Sequence, residues 1–395
     1  MNVLSLFDGM SCGQQALERV GIKVDNYYAS EIDKYTIQVT MANYPNTIQL
    51  GSVTEVDGYS LPKIDLLIGG SPCQSFSFAG KRKGMSTKCH TDILTLEHYL
   101  ELKSDGYEFE GESYLFWEFI RLLNEVKPKY FLLENVMMIE RWEKILSKAI
   151  GCNPIRINSS LVSAQNRVRL YWTNIGMQSA GFFGDLETII KQPKDQRIFL
   201  RDILEDDVNE KYFMSDKMIK YLNNRKANFN NGKINIREHN GKSSTITASS
   251  KNIDISDNFI IHSTFGRTSK SGKGGSGQLS REDGKTYCLD TANSMALEVR
   301  KVMQLNLSTE SGGKQPYQQN RIYDINGIYP ALQSQLSSGS YMINSERIRR
   351  LTPTECERLQ NVKDGYTNHV SDSQRYKMLG NGWTINVISH IFSYI

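Results

Sequence analysis

The segment Gly69–Gly80 reads GGSPCQSFSFAG and sets a cysteine, Cys73, directly behind Pro72 and just after the apolar run at residues 64–68. A thiol in that position serves as a buried core group, a metal ligand or a nucleophile. Zinc sites and disulfide frameworks draw on cysteines at short, regular spacing. The six cysteines here, Cys12, Cys73, Cys89, Cys152, Cys288 and Cys356, are scattered with no C-x-x-C pair, so no metal is expected. A nucleophile needs a lowered pKa or a neighbouring base in a partly open, electropositive site. Gln74, Ser75 and Ser77 make the following segment polar, unlike a core run. Local sequence still leaves structural burial of the thiol open.

Asp8-Gly9, Glu31, Ser52-Val53 and Glu134 stand, like Cys73, just past short apolar runs that read as strands. Those runs are residues 3–7, 27–30, 48–53, 65–68 and 130–133. Helical patterns lie between them. Residues 14–20 form one, stopped by Gly21. A second carries Ile37, Met41 and Tyr44 on one face and ends before Pro45. A third, over 113–126, groups Leu115, Phe116, Phe119, Ile120, Leu123 and Val126. Strands alternating with amphipathic helices predict a parallel α/β sheet, and ligands bind such sheets outside the carboxyl ends of the strands. Any one of these five positions is an ordinary turn residue; five in order predict a ligand edge. Residues 167–173 alternate in polarity and predict an added antiparallel strand.

The first turn, Phe7-Asp8-Gly9-Met10-Ser11-Cys12-Gly13, lacks the G-x-G-x-x-G pattern that seats a pyrophosphate on a helix N-terminus. That argues against a dinucleotide oxidoreductase. Glu31, with Ile32 beside it, is placed to hold the hydroxyls of a ribose. A nucleoside cofactor without a pyrophosphate fits these features, and S-adenosylmethionine is the candidate.

The texture changes after about residue 180. Residues 225–335 are rich in Asn, Ser, Gly and Lys. Asn240-Gly241, Asp283-Gly284 and Asn326-Gly327 mark an imperfect repeat of hairpin signals. A second, smaller, irregular β-rich domain is expected over 181–345, beside a first domain of 1–180 plus 346–395. Thr352-Pro353-Thr354-Glu355 reads as a capped helix start. The apolar segment 383–395 reads as a helix that packs back on the first domain.

GGSPCQSFSFAG, with LLENV at 132–136 and QNRVR at 165–169, resembles the cytosine-C5 methyltransferases. The order agrees: a turn at Phe7-Asp8-Gly9, an acid at Glu31, Pro72-Cys73-Gln74, Glu134-Asn135-Val136, then Gln165, Arg167 and Arg169. RIRRLTPTECERLQ at 347–360 and GNGW at 380–383 resemble the closing motifs of that family. The resemblance covers roughly 1–175 and 345–395. It implies a Rossmann-like mixed sheet that binds S-adenosylmethionine, releases S-adenosylhomocysteine and uses no metal, with Phe7, Asp8, Gly9, Glu31, Ile32, Ser52, Val53, Pro72, Asn381 and Trp383 on the cofactor side. It also implies that Cys73 attacks C6 of a cytosine while Glu134 holds N3 and the exocyclic amine, that C5 takes the methyl group, and that loss of the C5 proton frees the thiol. Gln165, Arg167 and Arg169 complete the catalytic set, the arginines meeting the cytosine carbonyl and a nearby phosphate. Two departures stand out. Ser52 occupies the place where many members carry an aspartate for the adenine amine, and the polar segment 85–112 is longer than a usual catalytic loop.

A base inside a stacked duplex is out of reach of this chemistry, so the resemblance implies base flipping and double-stranded DNA as partner. Gln74, Ser75, Lys81, Arg82, Lys83 and Lys88 fall on the expected lid. The span 262–285 around SGKGGSG carries Arg267, Lys270, Lys273, Arg281 and Lys285, suited to phosphates, and the second domain is the expected target-recognition domain. Net charge is only +4, so binding to a polyanion rests on local clusters. A related branch acts on tRNA with a compact recognition region, which the large middle segment argues against. A catalytically silent relative is disfavoured because Cys73, Glu134, Gln165 and Arg167 are all retained. No run approaches the roughly 18 apolar residues of a membrane span, and the N-terminus enters the first strand directly. The expectation is a monomeric, cytoplasmic, nucleoid-associated enzyme of bacterial or phage origin, with a restriction endonuclease as possible companion.

Overall fold

A computed structural model of the chain describes residues 1–72, 85–180, 185–213, 322–323, 329–330, 341–344 and 347–395. These all belong to one compact unit, Met1–Phe213 with Gln304–Ile395. Cys73, Gln74, Ser75, Lys81, Arg82, Lys83, Arg267, Lys270 and Lys273 lie outside the described residues, as do all three Asn-Gly/Asp-Gly turns.

The centre is a mixed sheet. β1 (Asn2–Leu6), β2 (Asn26–Ser30), β3 (Ile48–Gln49), β4 (Leu66–Gly69) and β7 (Tyr130–Val136) are its parallel members. β5 (Ser86–Thr87) and β6 (Phe109–Glu110) pair separately. β8 (Ile155–Asn158) and β10 (Val168–Thr173) close the sheet antiparallel, and a two-residue β9 (Gln165–Asn166) precedes β10. The order is β3-β2-β1-β4-β7-β10-β8. Leu4 registers with Tyr28 on one side and Leu67 on the other, and Leu67 with Phe131. Val3, Leu4, Leu6, Leu66, Leu67 and Ile68 are all buried. Continuous apolar runs are what a strand covered on both faces requires, and each such side chain contributes about 1.5–3 kcal/mol by leaving water.

Helices α1 (Cys12–Arg19), α2 (Lys34–Asn43), α4 (Phe116–Val126) and α5 (Glu140–Ile150) connect the strands. The expected face of α2 is displaced: Thr36, Val39 and Thr40 are buried while Ile37, Met41 and Tyr44 are only partly covered. Threonines supply the core contact, which an apolar pattern overlooks. The third expected strand, 48–53, stops at Gln49, because Gly51 takes a left-handed φ of 75° and a turn follows. β7 runs on through Glu134 to Val136, but its parallel pairing with β4 ends at Leu133. Glu134 therefore still stands past the parallel edge.

The long polar segment 85–112 is a small insertion, made of β5, α3 (Leu96–Ser104) and β6. Its side chains cover the outer face of α4. Trp117 and Glu118 are consequently buried along with the expected apolar stripe.

The capped helix start holds as read. Thr352 and Glu355 form a capping box with Pro353 in the first turn of α6 (Pro353–Leu359). α7 (Asp372–Asn381) and α8 (Ile385–Phe392) follow. α8 packs on the first domain, with Ser389 Oγ donating to the Ala16 carbonyl. Residues 187–213 also lie on this unit: Gln196 N donates to Leu161 O, and Glu205 N donates to Glu355 Oε1. Among the described residues no helix is long and apolar enough to cross a membrane.

Candidate active site

The turn after β1 is built by left-handed backbone at Phe7, Gly9 and Ser11, φ 56°, 59° and 57°. Such angles are costly outside glycine, and side-chain bonds hold them. Asp8 Oδ2 accepts from Ser11 Oγ at 2.5 Å and Oδ1 from the Tyr27 hydroxyl at 2.7 Å. Burial pushes the Asp8 carboxyl up to about 6 despite these donors. Asp8 thus faces inward as a brace of the turn.

Glu31 reaches across from the end of β2. Its Oε2 accepts from Gly9 N at 2.8 Å, and its Oε1 from Ile32 N and Asp33 N at 2.7 and 2.8 Å. Beside it Ile32 is 75% exposed, an apolar surface left open next to a carboxylate. A Cβ placed on Gly9 would meet nothing within 4 Å. An apolar platform, a ribose-suited carboxylate and open space over the turn fit an adenosyl group.

At the third strand end, Ser52 Oγ lies 2.8 Å from Thr54 Oγ1, so the hydroxyl is spent within its own turn. Val53 is buried in the core, and its carbonyl accepts from Arg121 Nη2 at 3.1 Å. Backbone groups are what this loop offers a ligand.

The base-side corner draws on four segments. Glu134 is 8% exposed. Its Oε1 pairs with Arg169 Nε at 3.0 Å, and its Oε2 accepts from Trp383 Nε1 at 3.2 Å. Gly70 makes room: a Cβ there would come 2.9 Å from Trp383 Nε1 and 3.3 Å from Glu134 Oε2. Asn135 Nδ2 donates to Ser71 Oγ at 3.0 Å, tying β7 to the strand end that leads into Pro72 and Cys73. A carboxylate fixed on both oxygens is poised to exchange one partner for a ligand's donor.

Arg167 and Gln165, the other members of the expected catalytic set, bond to the C-terminal segment. Both are buried. Arg167 donates Nη1 to Gly380 O at 3.2 Å and Nη2 to Gly382 O at 3.0 Å, and Gln165 Nε2 donates to Leu359 O. Arg167 fastens the GNGW turn, and with it Trp383, to the sheet, while Gln165 holds the end of α6. Asn381 is exposed at the end of α7. Lys88 is held in an exposed ion pair with Glu108.

Sequence reading missed Tyr27, Ser11, Gly70, Arg121 and the Trp383–Glu134 bond. Only the Gly69-Gly70 pair gave a signal. Two other thiols can be judged as rivals of Cys73. Burial pushes Cys12 up to about 12 and Cys152 to about 11, which leaves both as neutral thiols.

The C-5 cytosine-specific DNA methylase family profile matches residues 1–395. The orphan methyltransferase M.SPRI of Bacillus phage SPR is 29% identical over 99% of this chain and 96% of its own length. The type II methyltransferase M.HgiCI of Herpetosiphon aurantiacus is 27% identical over 97% and 94%. Among solved structures, the Entamoeba histolytica methyltransferase EhMeth is similar at TM-score 0.57 and 12% identity over 100% of this chain and 97% of that one. Spodoptera frugiperda DNMT2 is similar at TM-score 0.53 and 17% identity over 100% and 98%.

Proposed function

Because this chain belongs to the C-5 cytosine-specific DNA methylase family and so is a DNA cytosine methyltransferase, we propose that it methylates C5 of a flipped cytosine in duplex DNA through a covalent bond between Cys73 Sγ and C6. The observation that carries this reading is the corner at Glu134. A buried carboxylate, held by Arg169 and Trp383, stands beside Ser71-Pro72, from which the chain continues directly to Cys73.

Glu134 accepts from the exocyclic amine of the base and shares the proton that N3 takes up as charge develops, and Arg169 lies within reach of the carbonyl. Fixed polar groups aimed at developing charge are worth more in a buried site than in water. As the Cys73 thiolate adds to C6, the C5–C6 double-bond pair moves to C5. Bound S-adenosylmethionine supplies the electrophilic methyl that C5 accepts. A base then takes the C5 proton, the double bond re-forms, and the thiolate leaves. Phe7, Asp8, Gly9, Glu31, Ile32, Ser52, Val53 and Pro72 form the cofactor side, with Trp383 at the boundary. Arg167 and Gln165 are positioning residues.

Gln74, Ser75, Lys81, Arg82 and Lys83 meet the DNA around the flipped base. Arg267, Lys270 and Lys273 act from a target-recognition domain within 181–345. The enzyme works as a cytoplasmic, nucleoid-associated monomer without metal. The relatives named as type II and orphan methyltransferases support a role in DNA modification, with or without an endonuclease that shares its site.

Bisulfite sequencing of DNA from cells expressing the protein tests substrate, product and site together. Duplex DNA carrying 5-fluorocytosine should trap a covalent adduct in the presence of cofactor. Cys73→Ala should abolish both the adduct and turnover while keeping S-adenosylhomocysteine affinity. Methylation that survives Cys73→Ala would sink the covalent mechanism.

A further inference from the structure

The insertion 85–112 and the serine at position 52 are both departures from the family pattern, and one chain of buried polar contacts joins them. Glu118 on α4 has no exposed surface. Its Oε1 accepts from the Tyr99 hydroxyl at 2.5 Å and from Lys103 Nζ at 2.6 Å, both on α3 of the insertion. Its Oε2 accepts from Arg121 Nε at 2.6 Å. Arg121 Nη1 is held by both oxygens of Glu125, at 2.8 and 2.9 Å, and Glu125 Oε2 also takes Gly58 N. With those atoms engaged, Arg121 Nη2 is aimed at the Val53 carbonyl at 3.1 Å. Two carboxylates fix the guanidinium plane, and the insertion fixes one of the carboxylates.

We propose that the insertion is a positioning device for the cofactor: through Tyr99, Lys103 and Glu118 it sets Arg121 on Val53 and so holds loop 51–54 in the shape that recognises adenine. Ser52 has no charged group to reach for the adenine amine, and its hydroxyl is turned to Thr54. Recognition by this loop then depends on backbone direction. Gly51, at φ 75°, gives the loop its turn but does not by itself fix the peptides beyond it. The Arg121 clamp on the carbonyl of Val53, whose side chain is anchored in the core, supplies that restraint. Groups fixed before binding lower the ordering cost of the ligand.

This rests on the cofactor reading above, and the experiment separates the two. Full-length enzyme is titrated with S-adenosylhomocysteine and with its inosine analogue, in which the 6-amino group is replaced by oxygen. Wild-type protein should prefer the adenine form. Arg121→Lys keeps a positive charge near Glu118 but cannot serve Glu118, Glu125 and Val53 at once. The double variant Tyr99→Phe/Lys103→Met leaves Arg121 in place and removes its support. Each should weaken S-adenosylhomocysteine by about fivefold, the loss expected for one hydrogen bond, and reduce discrimination against inosine. The Michaelis constant for the cofactor should rise in parallel while kcat at saturating cofactor is retained. Glu108→Gln, which breaks only the exposed pair with Lys88 on the same insertion, should change neither affinity nor discrimination. Unchanged discrimination in both Arg121→Lys and the double variant would overturn the proposal. Failure of wild-type protein to bind S-adenosylhomocysteine would overturn the cofactor reading itself.

Discussion

The cofactor edge and the base corner are assembled in opposite ways. At the cofactor edge each contributing residue follows its own strand by one to four positions, and the partners come from the adjacent strand or the same turn: Asp8 with Tyr27, Gly9 with Glu31, Ser52 with Thr54. At the base corner the contacts join Gly70, Glu134, Arg169 and Trp383, with Glu134 and its indole partner 249 positions apart. The first kind of site is set by local turn geometry on a parallel sheet. The second exists only after the C-terminal segment has docked, with Gln165 and Arg167 as its fasteners. Damage to the cofactor edge should therefore show in cofactor affinity, and damage to the base corner in the chemical step.

The sharpest way to break that contrast is Glu134→Gln. The amide fills the same space and can still accept from Trp383, but it loses the charge facing Arg169 and cannot pass a proton to cytosine N3. Removing one such preorganised group costs about 10²–10³ in rate. The drop should lie in kcat, with S-adenosylhomocysteine affinity unchanged by calorimetry. A loss confined to cofactor affinity would merge the two regions.

The contrast also explains what could be read beforehand. The sheet, the strand-end residues, the Thr352 cap and the final helix were legible because each depends on apolar period or turn chemistry within a few residues. The inward role of Asp8 was not, because the Tyr27 hydroxyl reaches its second oxygen only once β1 and β2 pair in register. Val53 reads as part of a strand by residue type, yet Gly51 ends that strand early. Glu118 looks like a solvated helix residue until the insertion covers it. Arg167 and Arg169 share a motif and an alternation, but one is drawn to the carbonyls of Gly380 and Gly382 and the other to Glu134. Nothing within QNRVR distinguishes them, since the distinction is made by residues more than 200 positions away and by Glu134.

Trp383→Phe should have the next largest effect. Phenylalanine keeps an aromatic ring against Gly70 but donates nothing to Glu134 Oε2. The loss of one hydrogen bond to a charged group corresponds to about tenfold or somewhat more. Because Nε1 acts through Glu134, the loss should appear in kcat for single-turnover methylation, with the Michaelis constant for cofactor nearly constant. Trp383→His, which retains a ring N–H, should recover part of the rate. An equal loss in Trp383→His and Trp383→Phe, with weakened cofactor binding, would place Trp383 wholly on the cofactor side.

A third effect, on stability and not on rate, is expected at the cofactor edge, in its pH dependence. Burial holds the Asp8 carboxyl at about 6 instead of 3.8. Between those values the folded chain keeps a proton that the unfolded chain has already lost. Native stability therefore falls as pH rises from about 4 to about 6, and the loss is complete above 6. The full difference corresponds to about 3 kcal/mol at the stated shift. Asp8→Asn removes this titration, so the denaturant midpoint of the variant relative to wild type should move in the variant's favour across that window and stay level from pH 6.5 to 8. Its absolute position at pH 7 also reflects altered bonds to Ser11 and Tyr27, which is why the slope is the diagnostic quantity. A difference between the two proteins that does not change with pH would mean that Asp8 is ionised at little cost in the fold.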